Sequence, residues 1–178
     1  MTDIPRGVLT ALIVSALLSA SAALQAADNL NITGALVSEP CELGPDGATL
    51  KVSFGTVPDK TLYSETRTKG IPLNVSLINC DLSLGTQATL TFTGRESLLM
   101  PGFLVTTGTG SPGVVIGLEQ PDGTPVPFNQ TSPAYILTDE KNTLSLLAFV
   151  AVEPDAIKNN SLTPGDFAAT ATFEVGYP

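Results

Sequence analysis

Helical spacing of apolar residues is scarce along this chain, whereas short apolar or alternating runs recur between turn residues. The runs predict strands at 29–37, 49–54, 71–80, 87–93, 103–107, 114–119, 143–152 and 168–177. Between them lie Pro45-Asp46-Gly47, Pro58-Asp59, Pro101-Gly102, a glycine-rich stretch at 108–113, Pro121-Asp122-Gly123, Pro125 to Pro127, and Pro164-Gly165. Such residues preset turn geometry or tolerate it, so each marks a reversal of the chain. Short strands at this spacing predict an all-β sandwich. No internal repeat, low-complexity segment or second domain is visible.

Two of the predicted strands carry more information than the others. Near the C-terminus Phe167, Ala169, Ala171, Phe173, Val175 and Tyr177 alternate with Ala168, Thr170, Thr172, Glu174 and Gly176. This period of two buries one face and leaves the other in water, as in an ordinary last strand. Closer to the N-terminus, Leu30, Ile32 and Leu36 share one face with Gly34 between them, while Asn29, Asn31, Thr33 and Ala35 share the other. A glycine within a strand gives up side-chain packing and often marks close approach of another backbone. On pattern alone, a first strand paired within its own sheet is the favoured account of this segment.

Composition narrows the function classes. Eight Lys and Arg stand against 17 Asp and Glu, a formal net charge of −9, and there is no His and no Trp. An acidic surface repels nucleic-acid phosphates and anionic lipid. Without His, Ser-His-Asp and Cys-His catalysis and most zinc sites are excluded. The acidic pairs Asp139-Glu140 and Glu153 with Asp155 adjoin turns, as solvated loop charges do, whereas glycosidases set two carboxylates across a cleft. Asp122-Gly123 reads as a turn with too few oxygens in ligand spacing for calcium. The chain therefore reads as a non-enzyme, with no cofactor, no metal and no small-molecule substrate.

The first residues add a compartment. Arg6 precedes the apolar run at 8–18, which gives way to SASAALQA ending at Ala26. That order is the order of a secretory signal peptide, and eleven core residues reach only about 16 Å, too short to span a bilayer. The expected division is a leader at 1–26, an N-terminal extension at 27–37 and a domain at 38–178. Both cysteines, Cys41 and Cys80, lie in the exported part, where an even count reads as one disulfide; two buried free thiols are the alternative. Closing a loop of that length contributes roughly 4 kcal/mol by chain entropy.

These features together resemble the subunits of chaperone–usher (type 1-like) fimbriae of Gram-negative bacteria. NITGALVSEPCEL resembles the start of minor, adaptor-type subunits, and IPLNVSLINCDLS the strand that carries the family's second cysteine. QATLTFTG at 87–94 and PGVVIGLEQPDGTPVPFN are similar to the family's following strand and central hairpin. LTPGDFAATATFEVGYP matches its C-terminal signature, a Gly fourteenth from the end and a penultimate Tyr, here Gly165 and Tyr177. The departure is Pro178, where the family commonly has a polar residue.

The resemblance implies an incomplete immunoglobulin-like sandwich lacking its last strand, completed by a donor strand in trans. It implies a structural subunit of an adhesive fimbria, exported through the periplasm to the cell surface. The implied partners are a periplasmic chaperone, an outer-membrane usher and other fimbrial subunits. The C-terminal strand, Gly165, Phe167, Ala169, Ala171, Phe173, Val175, Tyr177 and Pro178, would wall the groove and meet the chaperone. Leu30, Ile32, Gly34 and Leu36 would form the donor strand inserted into a neighbour. The short extension fits a minor or adaptor subunit; a major shaft subunit and a free-standing carbohydrate-binding module are the alternatives.

Overall fold

The computed structural model of the chain describes residues 34, 36, 38–45, 47 and 49–178. The leader at 1–26 and most of the 27–37 extension, Leu30 and Ile32 included, lie outside the described residues. Among the described residues eight strands and two short helices follow one another as β1 (Glu42–Leu43), α1 (Asp59–Glu65), β2 (Ile71–Cys80), β3 (Gln87–Thr93), β4 (Leu104–Val105), β5 (Val114–Glu119), β6 (Tyr135–Ile136), β7 (Glu140–Val152), α2 (Pro154–Lys158) and β8 (Thr172–Gly176). Two antiparallel sheets form, in the orders β1-β2-β7-β5-β4 and β6-β3-β8. This is the predicted all-β sandwich.

Strand alternation builds the core. Leu73, Val75 and Leu77 of β2, Leu144, Leu146, Ala148 and Val150 of β7, and Val114, Ile116 and Leu118 of β5 are all buried. They meet Ala88, Leu90 and Phe92 of β3 in one cluster. Each such aliphatic contributes about 1.5–3 kcal/mol on full burial. The long β2–β7 ladder, from Ile71 opposite Ala148 to Ile78 opposite Lys141, fixes the register of the larger sheet.

A second cluster covers the outer face of that sheet. Val115, Phe149 and Ala151 are buried there beneath Met100 and Phe103. The Arg67 guanidinium lies 3.6 Å from the centre of the Phe149 ring. It donates to both carboxylate oxygens of Glu119, at 2.9 and 2.6 Å. A planar cation that stacks and forks in this way lets a sheet face carry a charge while shielding apolar surface.

Differences from the sequence reading have local causes. β7 begins at Glu140 because Glu140 pairs with Cys80 across a bulge; the polar residues Glu140 to Asn142 gave no strand pattern. Pro58-Asp59 does not merely turn the chain but opens α1, with Pro58 as N-cap. Glu153 is no solvated loop charge: it accepts a 2.5 Å hydrogen bond from Ser97 Oγ and caps α2. The hairpin predicted at 112–129 is present, with Val126 N–H donating to the Leu118 carbonyl and Gln120 N–H to that of Thr124. Its return arm is no regular strand, because Pro125 and Pro127 have no N–H to give a ladder.

Candidate functional site

Parts of two segments predicted as strands, 49–54 and 168–171, form no regular ladder, and both line one groove. Residues 49–57 are assigned no strand, and among the described residues they take part in no backbone–backbone hydrogen bond. On the opposite side, β8 starts only at Thr172, after a single bridge between Ala168 and Thr107. Residues 169–171 are likewise free of backbone–backbone hydrogen bonds. Between these walls lies a groove of about 1100 Å³.

The groove is apolar inside. Phe92, Leu104, Ile116, Leu118 and Phe128, buried core residues, line its floor. Leu50, Val52, Phe54 and Val57 face it from one wall, and Phe167, Ala171 and Phe173 from the other; all are only half-buried. The rings of Phe54 and Phe167 meet at 6.2 Å, and those of Phe92 and Phe173 at 5.9 Å. Ala169 lines the groove as an exposed residue. The alternation at 167–177 therefore does mark an inward face, but that face lacks half of its cover.

Each end of the groove is tied to the body. At one end the 108–113 loop presses on the C-terminal wall. Gly110 N–H donates to the Asp166 carbonyl at 2.9 Å, and a Cβ on Gly110 would lie 2.3 Å from the Gly165 carbonyl oxygen. Leu162 N–H donates to the Tyr63 hydroxyl of α1 at 3.0 Å. At the other end the Tyr177 hydroxyl donates to the Cys41 carbonyl at 3.1 Å. Burial, with the negative charge of Glu39 nearby, raises the Tyr177 phenol above its ordinary value.

Cys41 and Cys80 form a disulfide with their Cα atoms 4.1 Å apart. It joins the chain before β1 to the end of β2, as the cysteine count predicted. Asn142, itself buried, donates to Cys80 Sγ at 3.2 Å and closes a ring of hydrogen bonds with Thr138. Of the candidate donor strand, only Gly34 and Leu36 fall among the described residues, and Leu36 is fully exposed. Gly165 to Pro178 all belong to the C-terminal wall or its end. The sequence reading missed the continuation of the opposite wall to Val57, because the left-handed Gly55, at φ 58°, breaks the alternation after Phe54.

Around the apolar floor the lining also carries Thr49, Ser53, Thr56, Asp59, Thr163, Asp166 and Thr170. Beside that floor stand backbone segments, 49–57 and 169–171, that make no backbone–backbone hydrogen bond. The family model described as Fimbrial protein matches residues 30–178.

The chain belongs to the fimbrial protein family. It is 36% identical over 169 residues to the fimbrial-like protein YfcP of Escherichia coli K12, covering 92% of each chain. It is 32% identical over 173 residues to the fimbrial adapter PapK of Escherichia coli, covering 94% of this chain and 96% of the adapter. Among solved structures, the P pilus rod subunit PapA superposes with a TM-score of 0.68 at 26% identity, over 79% of this fimbrial subunit and all of that one. The immunoglobulin-like pilin fold expected from the sequence is thereby shared with subunits of surface pili.

Proposed function

We propose that this fimbrial subunit polymerises by donor-strand exchange and serves as a minor or adaptor subunit. The observation that carries the reading is the groove between 49–57 and 163–173, where the backbone of 49–57 and 169–171 makes no backbone–backbone hydrogen bond beside an apolar floor. A buried or partly buried strand edge without a partner is unfavourable and invites pairing with another chain. A periplasmic chaperone would lend the first strand, holding the C-terminal end at Tyr177 and Pro178. At the outer-membrane usher the extension of the next subunit would take its place. The extension of this subunit, residues 27–37, would enter the groove of its other neighbour with Leu30, Ile32 and Leu36 inward and Gly34 allowing close backbone approach. The likeness to PapK, itself named an adapter, supports the minor position over a shaft role.

The test moves residues 27–37 behind Pro178 through a short flexible linker, leaving the body unchanged. Urea unfolding midpoints of the rearranged and natural chains are then compared. A large rise in midpoint, with loss of the natural chain's tendency to aggregate, supports an acceptor groove and a matching strand. A natural chain already soluble and stable, gaining nothing from the added strand, overturns the reading in favour of a self-sufficient module.

A further inference from the structure

The charges around the groove bear on which strand it accepts. Every charged side chain lining it is an acid, namely Asp59 and Asp166. The C-terminal wall from 163 to 176 adds Glu174 and has neither Lys nor Arg. The facing segment brings Lys51 and Lys60, both exposed and neither lining the groove, so the cations only partly offset the acids. Behind the rim stands a chain of net charge −9. The extension of the same chain and its flank, residues 27–50, holds Asp28, Glu39, Glu42 and Asp46 without a single Lys or Arg.

We infer that the groove is built for an extension with basic flanks from a different subunit, and that a second copy of this chain is electrostatically disfavoured as its donor. The inference rests on the reading of the groove as a strand acceptor. The apolar floor sets affinity and is indifferent to flanking charge, whereas the acidic rim and body set how fast a strand of either sign approaches. Charge complementarity of this kind acts mainly on the association rate and on rejection of wrong partners, and it fades as salt screens it. A copy of this chain brings an acidic strand on an acidic body to an acidic rim. A basic-flanked extension meets attraction at each of those points.

The experiment uses the protein purified from the periplasm and unfolded in urea, then diluted into two labelled peptides in turn. One is residues 27–40, acetylated and amidated so that only side chains carry charge; the other carries Asp28→Lys and Glu39→Lys. Association is followed by fluorescence anisotropy in about 10 mM and about 1 M salt, where the screening length is about 30 Å and about 3 Å. The expected result is that the lysine peptide associates roughly tenfold faster at low salt and that the two rates converge at high salt. A protein carrying Asp59→Asn and Asp166→Asn should narrow the low-salt gap. Equal rates at low salt, or a faster natural peptide, overturn the inference while leaving the groove intact. Failure of both peptides to bind at either salt overturns the acceptor reading itself.

Discussion

The Tyr177 hydroxyl donates to the Cys41 carbonyl across 136 positions of sequence. It thereby fastens the end of the C-terminal groove wall to the cysteine from which the N-terminal extension departs. Tyr177→Phe removes this bond and leaves the ring. The expected loss is about 1 kcal/mol, read from the urea midpoint with the slope unchanged.

The same phenol makes a prediction about pH. Its ionisation is raised above the ordinary value of 10.0 by burial first and by Glu39 second. The folded protein thus holds this proton more tightly than the unfolded chain does. Its contribution is fully present below the unfolded value and is lost as pH rises through the folded one. Stability of the natural protein should therefore decline through that alkaline window more steeply than that of Tyr177→Phe, as melting temperatures across the window would reveal. Identical alkaline profiles would rule out the coupling.

Reduction of the Cys41–Cys80 bridge, or its replacement by serines, should cost about 2–5 kcal/mol. The denaturation midpoint of oxidised and reduced protein checks this. The loss falls on the unfolded ensemble and on the β1–β2 corner, so groove-facing residues should keep their hydrogen-exchange order relative to one another.

Gly110 and Gly165 meet where no side chain fits, since a Cβ on Gly165 would stand 2.4 Å from Thr109 Oγ1 and 2.8 Å from Gly110 N. Either Gly→Ala change must push the 163–167 wall or the 108–113 loop aside, with a loss of about 1–3 kcal/mol from overpacking. If the acceptor reading holds, peptide association slows by more than this loss of stability accounts for. A variant that is destabilised yet loads peptide at the natural rate would separate the glycine seam from groove function.

Phe54 and Phe173 offer a paired test. Both are half-buried where they line the groove, so truncation to Ala removes only part of the about 3–5 kcal/mol seen for a fully buried Phe. In the rearranged chain that carries its own extension behind Pro178, the same truncations should cost distinctly more. For each phenylalanine the unfolding curves of four proteins form a cycle, and equal costs in both backgrounds would mean that no strand lies over these rings.

Much of this architecture was legible in the chain because alternation is a local signal. Phe167 to Tyr177, Ile71 to Cys80 and Gln87 to Thr93 each declare a face without reference to any other segment. The groove was legible only through resemblance, because alternation tells which face is apolar and not whether anything covers it. Phe173 reads the same in a closed sandwich and in an open one. The outer cluster escaped the sequence altogether, since Arg67, Glu119 and Phe149 are far apart in the chain and only the β5–β7 ladder brings the last two together. Glu153 escaped for a similar reason, its partner Ser97 lying 56 positions away.

The sheet edges carry a consequence for shape at a larger scale. β1, β4 and β6 are each two residues long, too short to recruit another chain. Among the described residues the groove walls at 49–57 and 169–171 are stretches of backbone that make no backbone–backbone hydrogen bond. On the donor-strand proposal, a subunit with one acceptor seam and one strand to offer has two ends and no sides. Joined through them, it and its relatives would make a thread that lengthens without branching and does not cake into sheets, however crowded the compartment in which it is spun.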